Sequence, residues 1–228
     1  MRKLLIGLVF LFSFFTIVAP SFADSNFSTT FDGTYSVKDN GLTHVVFQTT
    51  LVNTSDKYYA TSYTLKLGFT DIQNVYASDP DGILTPALKT TPDGQEITFT
   101  FRHKAIGLGS KLPFTFSFDT TNVAVKNGSI WEVNIPGLAD MNDFSDFSVH
   151  VVVPGDFGQP VYTKPDVGTG LTFTKTQLGK SGISIAFGNK QIYHMNLSYH
   201  LKNNQVFPVT TEIALPPTTN YQNVYIDN

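Results

Sequence analysis

Apolar and polar residues alternate along most of this chain with a period of two. In EITFTFRH, Ile97, Phe99 and Phe101 face one way while Thr98, Thr100 and Arg102 face the other. Leu112, Phe114, Phe116 and Phe118 repeat the pattern, as do Phe147, Val149, Val151 and Val153. It continues through Ile183, Ile185 and Phe187, then Met195, Leu197, Tyr199 and Leu201, then Val209, Thr211, Ile213 and Leu215. Successive side chains of a strand point to opposite sides, so this period predicts strands with one buried and one wet face. The best helical candidate is a single turn near Thr174 to Leu178.

Turn residues separate the strands. KDNG, SDPDG, TPDG and KNGS carry the Asn/Asp-Gly and Pro-Asp signals of tight reversals. Short strands so spaced predict an all-β fold: two antiparallel immunoglobulin-like β-sandwich domains, at 24–125 and 126–228, meeting near VKNGSIWEV. A loose repeat supports the division. FQTTLVNTSDKYYATSYTLKL and LSYHLKNNQVFPVTTEIAL follow one script, with Leu51-Val52-Asn53 matched by Leu201-Lys202-Asn203. The single tryptophan, Trp131, is expected in the core or between the domains.

The first residues change the picture of where the chain works. Arg2 and Lys3, an apolar run from Leu4 to Val18, Pro20 and the small residues Ser21 and Ala23 form a secretory signal peptide, residues 1–23, cut between Ala23 and Asp24. The run is short for a membrane span, which needs about 20 residues; an uncleaved anchor is the alternative. Nothing later is apolar enough to cross a bilayer, so a secreted or extracytoplasmic, cell-surface protein is expected. Without residues 1–23, 13 cations face 18 acids, a net charge of −5. That balance argues against nucleic acid, whose phosphates need a basic footprint. No run of basic residues marks a site for anionic lipid.

Candidate chemistry is sparse. The chain has no cysteine, which excludes disulfides, thiolate metal sites and a cysteine nucleophile within these residues. His44, His103, His150, His194 and His200 each fall on or at the end of an expected strand, with His150 on a polar face. No GxSxG elbow frames a serine nucleophile, so no catalytic residue and no cofactor is assigned. The loop Asp140, Asn142, Asp143 and Asp146 is a weak calcium candidate, offering oxygen ligands but lacking the glycine and distal glutamate of an EF-hand. Asn26, Asn53, Asn127 and Asn196 begin N-x-S/T sequons that suit a chance origin. Tyr58, Tyr59, Tyr162, Tyr193 and Tyr225 could stack on sugar, so a glycan or a cell-surface protein is the expected kind of partner.

The second half also carries a family resemblance. TKTQL, SGISIAFG, YHLKN, TEIALPP and TNYQNVY resemble the N-terminal extracytoplasmic β-domain region of bacterial transglutaminase-like proteins. YSVKDNGLTHVVFQTTLVNTSDKYYATSYTLKLG is similar to the strand pair near their mature N-terminus, and NGSIWEVNIPGL to the link between halves. The resemblance implies a non-catalytic structural or interaction module, followed in such proteins by a domain with a Cys-His-Asp triad. No triad residue can be placed in this chain. The alternative is a free-standing secreted or cell-surface binding protein.

Overall fold

A computed structural model describes residues 26–168, 170–188, 193–219 and 222–226, apart from the Asp143 side chain. The expected signal peptide and its cleavage site at Ala23 and Asp24 lie outside them. The strands are β1 (Phe27–Val37), β2 (Thr43–Asn53), β3 (Ser62–Leu67), β4 (Gln73–Asp79), β5 (Gly82–Leu84), β6 (Ala87–Thr91) and β7 (Gly94–Thr100). They continue as β8 (Lys111–Thr120), β9 (Ala124–Asn127), β10 (Ile130–Ile135), β11 (Asp146–Val152), β12 (Pro160–Lys164), β13 (Thr172–Thr174) and β14 (Ile183–Gly188). One helical turn, α1 (Lys175–Leu178), sits where the sequence places it, closed by a capping box between Thr174 and Gln177.

The fold is all-β, in three sheets. Seven strands run in the order β13-β11-β1-β2-β8-β4-β5, four as β12-β14-β10-β9 and three as β3-β7-β6. The expectation of antiparallel pairing holds at every ladder but one. β1 and β11 are parallel, Thr30 to Ser36 lying beside Asp146 to Val152. Parallel neighbours cannot be joined by a tight turn, and here more than a hundred residues of chain lie between the two strands.

Alternation places the core. Phe31 and Tyr35 of β1, Val45, Phe47 and Leu51 of β2, and Leu112, Phe114, Phe116 and Phe118 of β8 are buried on one side of the large sheet. Phe116 sits at its centre, stacked on Phe47 with ring centroids 5.0 Å apart and tilted against Phe99 of β7 at 5.0 Å. The three-stranded sheet thus covers this side through Ile97 and Phe99. Val133, Ile135, Ile185 and Phe187 of the four-stranded sheet join the same cluster. Trp131 is packed as expected, stacked on Phe157 at 4.6 Å.

One core position breaks the pattern. Thr49 is 2% exposed on the buried side of β2, and its hydroxyl has no hydrogen-bond partner among the described residues. A buried hydroxyl left unpaired carries its full desolvation penalty. Thr49→Val keeps the shape and removes the hydroxyl, so it is expected to stabilise the protein by about 1 kcal/mol in urea denaturation.

Candidate functional site

The other side of the large sheet is open. One row of facing residues crosses six strands: Thr174, Ser148, Asp32, Gln48, Thr115 and Ser78. At about 4.8 Å between strands, the row is roughly 24 Å long. It borders a shallow depression of about 640 Å³ lined also by Thr30, Thr50 and Asp146. A solvated sheet face is commonly polar, yet this row has neither lysine nor glutamate. Its side chains are mostly short hydroxyls and lose little rotamer entropy when a ligand fixes them.

Three histidines pair with aspartates. His150 reaches Asp32 from Nε2 at 3.1 Å and Thr172 from Nδ1 at 3.1 Å, on the open face. His44 meets Asp119 at 2.6 Å, and His103 meets Asp81 at 3.2 Å. The Thr172–His150–Asp32 order resembles an acyl-transfer triad, but it lies on a flat, half-exposed surface that encloses no substrate. His194 and His200 lie in an exposed segment. The sequence showed the histidines and missed their partners, which only the tertiary fold brings near.

Asp79 closes the β4–β5 turn. Its Oδ2 accepts from the N–H groups of Arg102 at 2.7 Å and His103 at 2.8 Å, and its Oδ1 from Asp81 at 2.9 Å. Burial pushes its pKa up, but these N–H groups and the nearby His103 outweigh it and hold the carboxyl below its ordinary value. Such a carboxylate contributes stability above its unfolded pKa, about 3.9, and loses it as pH falls through the lower folded value. Below about pH 4 the intact chain is therefore expected to lose stability faster than an Asp79→Asn variant, read as Tm against pH.

Asn53 ends β2 and ties two loops together. It is 2% exposed, and its Nδ2 donates to the carbonyls of Tyr58 at 2.6 Å and Ala105 at 3.3 Å. Its Oδ1 accepts from Ser55 N–H at 2.9 Å, and its backbone carbonyl from Gly109 N–H at 2.7 Å. The loops 54–61 and 101–110 thereby come side by side. With both amide hydrogens engaged inside the protein, Asn53 is no acceptor for a glycan in the folded state.

Residues 193–215 behave differently from the rest. They carry the two alternating runs of the sequence, but no strand forms there among the described residues. Met195, Leu197, Tyr199, Leu201, Val209, Ile213 and Leu215 are all exposed. The segment is still bent back on itself: Tyr199 donates its hydroxyl to the Ala214 carbonyl at 2.7 Å. At the bend, Asn203 Oδ1 accepts from Gln205 N–H at 2.8 Å while Nδ2 donates to the Phe207 carbonyl at 2.9 Å. Asn53 makes a similar pair of bonds, to Ser55 N–H and to the Tyr58 carbonyl, which lies one residue further along the chain than its counterpart Phe207. The repeat seen in the sequence is thus a shared Leu-x-Asn turn device. What differs is the covering layer: β2 has one, and 193–215 does not.

Of the calcium candidates, Asp140 accepts from Asn142 N–H at 2.9 Å and Asp146 from Phe147 N–H at 2.9 Å, so both carboxylates cap local backbone. Among the described residues, no three His, Asp or Glu side chains gather to hold an ion. The sugar-stacking candidates fall in separate places. Tyr58 and Tyr59 lie on a loop beside Lys104, Tyr162 lies in β12, and Tyr193 and Tyr225 are exposed near the C-terminus.

The all-β chain thus combines an open polar face, a clasped loop pair and an uncovered apolar segment. No protein-family model matches it, and no curated protein matches it. Solved structures similar to it include native yeast LTA4 hydrolase, at 13% identity and a TM-score of 0.43 over 72% of this chain and 29% of that one. An M1 zinc metallopeptidase from Deinococcus radiodurans is similar at 13% identity and a TM-score of 0.41, over 72% of this chain and 42% of that one. The chain thus spans less than half the length of these structures, and scores of this size assign it neither fold family nor activity. No family model supports the resemblance to transglutaminase-like proteins, and the accessory-region reading built on it is withdrawn.

Proposed function

We propose that residues 193–215 form a docking arm by which the chain holds a protein partner. The observation that supports this is two apolar rows with strand periodicity, exposed together on one bent segment. Large contiguous apolar exposure marks interaction surfaces. Rows with a period of two are satisfied by a sheet-like apolar layer, so the partner is one that presents such a surface. A photo-crosslinker in place of Tyr199, in the native host, tests this. The expected result is a partner adduct that disappears when Leu197→Glu and Leu201→Glu are added. Adducts only within the chain itself would overturn it.

The open face favours a second, separate ligand. The row from Thr174 to Ser78 offers hydroxyl, amide and carboxylate groups in one line, a pattern that suits an extended, hydroxyl-rich molecule such as a glycan. Calorimetric titration with oligosaccharides checks this. Gln48→Ala, at the middle of the row, is expected to weaken binding about tenfold, the usual size for one hydrogen bond to a ligand.

Export and the finer architecture belong to the same reading. The signal peptide supports a secreted or cell-surface location. Two immunoglobulin-like units at 24–125 and 126–228 make a prediction of their own, because β1 and β11 pair across that division. If the halves fold separately, residues 24–125 alone give a cooperative melt. If only a chain that includes β11 melts cooperatively, the division is elsewhere; the pairing favours this outcome.

A further inference from the structure

The loop pair clasped by Asn53 ends in an apolar tip. Ile106 is 69% exposed and Leu108 71% exposed, in the sequence AIGLGSK. Gly107 and Gly109 have positive φ and open space where a Cβ would stand. Ser110 closes the turn, donating from N at 3.2 Å and Oγ at 2.7 Å to the Gly107 carbonyl. The tip is therefore a fixed shape held out from the body. Tyr58 and Tyr59 are exposed on the neighbouring loop, with Lys104 Nζ 5.6 Å from the Tyr59 ring centre.

Charge around this tip is one-sided. Lys57, Lys104 and Lys111 are all exposed, with Asp56 the one acid on the two loops. On the same loop, His103 is paired with Asp81, and the Arg102 guanidinium lies at the turn at Gly82. The lysines are scattered in sequence, so no basic run announces them, and Asn53 joins the two loops that carry Lys57 and Lys104.

We infer that this loop pair docks on the surface of an anionic lipid bilayer. Aliphatic side chains at the tip enter the acyl boundary, the tyrosines lie at headgroup level where their rings are amphipathic, and the lysine collar meets the negative surface. A protein pocket would suit a single anchor. Two exposed aliphatic groups, with exposed lysines on and beside the same two loops, match a flat, soft, negative partner. This surface does not include the arm at 193–215, and it meets the open sheet face only at Lys111, the first residue of β8.

The test is co-sedimentation of the chain from Asp24 onward with vesicles of equal parts phosphatidylcholine and phosphatidylglycerol, and with phosphatidylcholine alone. Binding is expected to the anionic vesicles and to weaken with added salt. Ile106→Asp with Leu108→Asp, in the same chain, is expected to lower partitioning at least about tenfold. Lys57→Gln with Lys104→Gln and Lys111→Gln is expected to lower it roughly tenfold to a hundredfold on anionic vesicles. These positions are exposed, and circular dichroism confirms that each variant folds. Leu108→Trp gives a second readout, a blue-shifted emission on vesicle addition. Failure of the wild-type chain to sediment overturns the inference. So does equal binding by the aspartate variant, which would put membrane contact on another surface such as the arm.

Discussion

Gly182→Ala is expected to destabilise the protein by about 3–5 kcal/mol, among the largest losses any single substitution produces. Gly182 precedes β14 with φ of +74°, and a Cβ there would lie 2.2 Å from the Ile135 carbonyl oxygen and 2.8 Å from Gly137 N. Those are backbone atoms at the end of β10, the strand that pairs with β14 along its whole length. Gly137 is equally confined, since its own Cβ would stand 2.3 Å from the Lys180 carbonyl oxygen. The positive φ alone costs about 1 kcal/mol in alanine, and the backbone collision supplies the rest. For a chain of this size the melting temperature is expected to fall by roughly 10 °C. A loss under about 1 kcal/mol would mean that the two backbones do not cross this closely.

Asn53→Asp carries the second large effect. The change is nearly isosteric, but it replaces a donor pair by a carboxylate facing the carbonyl oxygens of Tyr58 and Ala105. Two buried acceptors lose their donor and a buried negative charge is set against them, for an expected cost of about 3 kcal/mol or more. The sign with pH is diagnostic. Burial and the two carbonyls favour the protonated carboxyl, so the introduced group has a raised pKa in the folded state. The variant is then least destabilised below the unfolded value of about 3.9 and loses further stability as pH rises toward the folded pKa. Asn53→Ala lacks this pH dependence, and urea titrations of both variants at several pH values separate the two.

The strands of the core were legible because each is half buried. Phe114, Phe116 and Phe118 alternate with Thr115 and Ser117, and a side-chain period of two leaves one arrangement that buries the phenylalanines. The helical turn was legible through Thr174 and Gln177, which close their own capping box. The parallel pairing of β1 with β11 was not, because it joins distant segments and leaves no local mark. The same reason hid Asp119 from His44 and Lys104 from Tyr59. Asn53 was visible only as part of a repeat and as a sequon, and its work as a clasp depends on the loop that returns to it after β7. At residues 193–215 the alternation predicted half-buried strands that the structure does not form, because periodicity does not say what layer covers a segment.

Hydrogen exchange of the intact chain tests the central claim, that this segment is presented for docking and is not part of the folded body. The account predicts strong protection in β2, β8 and β14 and near-unprotected exchange across 195–201 and 209–215. Protection of those two stretches equal to that of β2 in the isolated chain would contradict it, because the chain would then be covering its own arm.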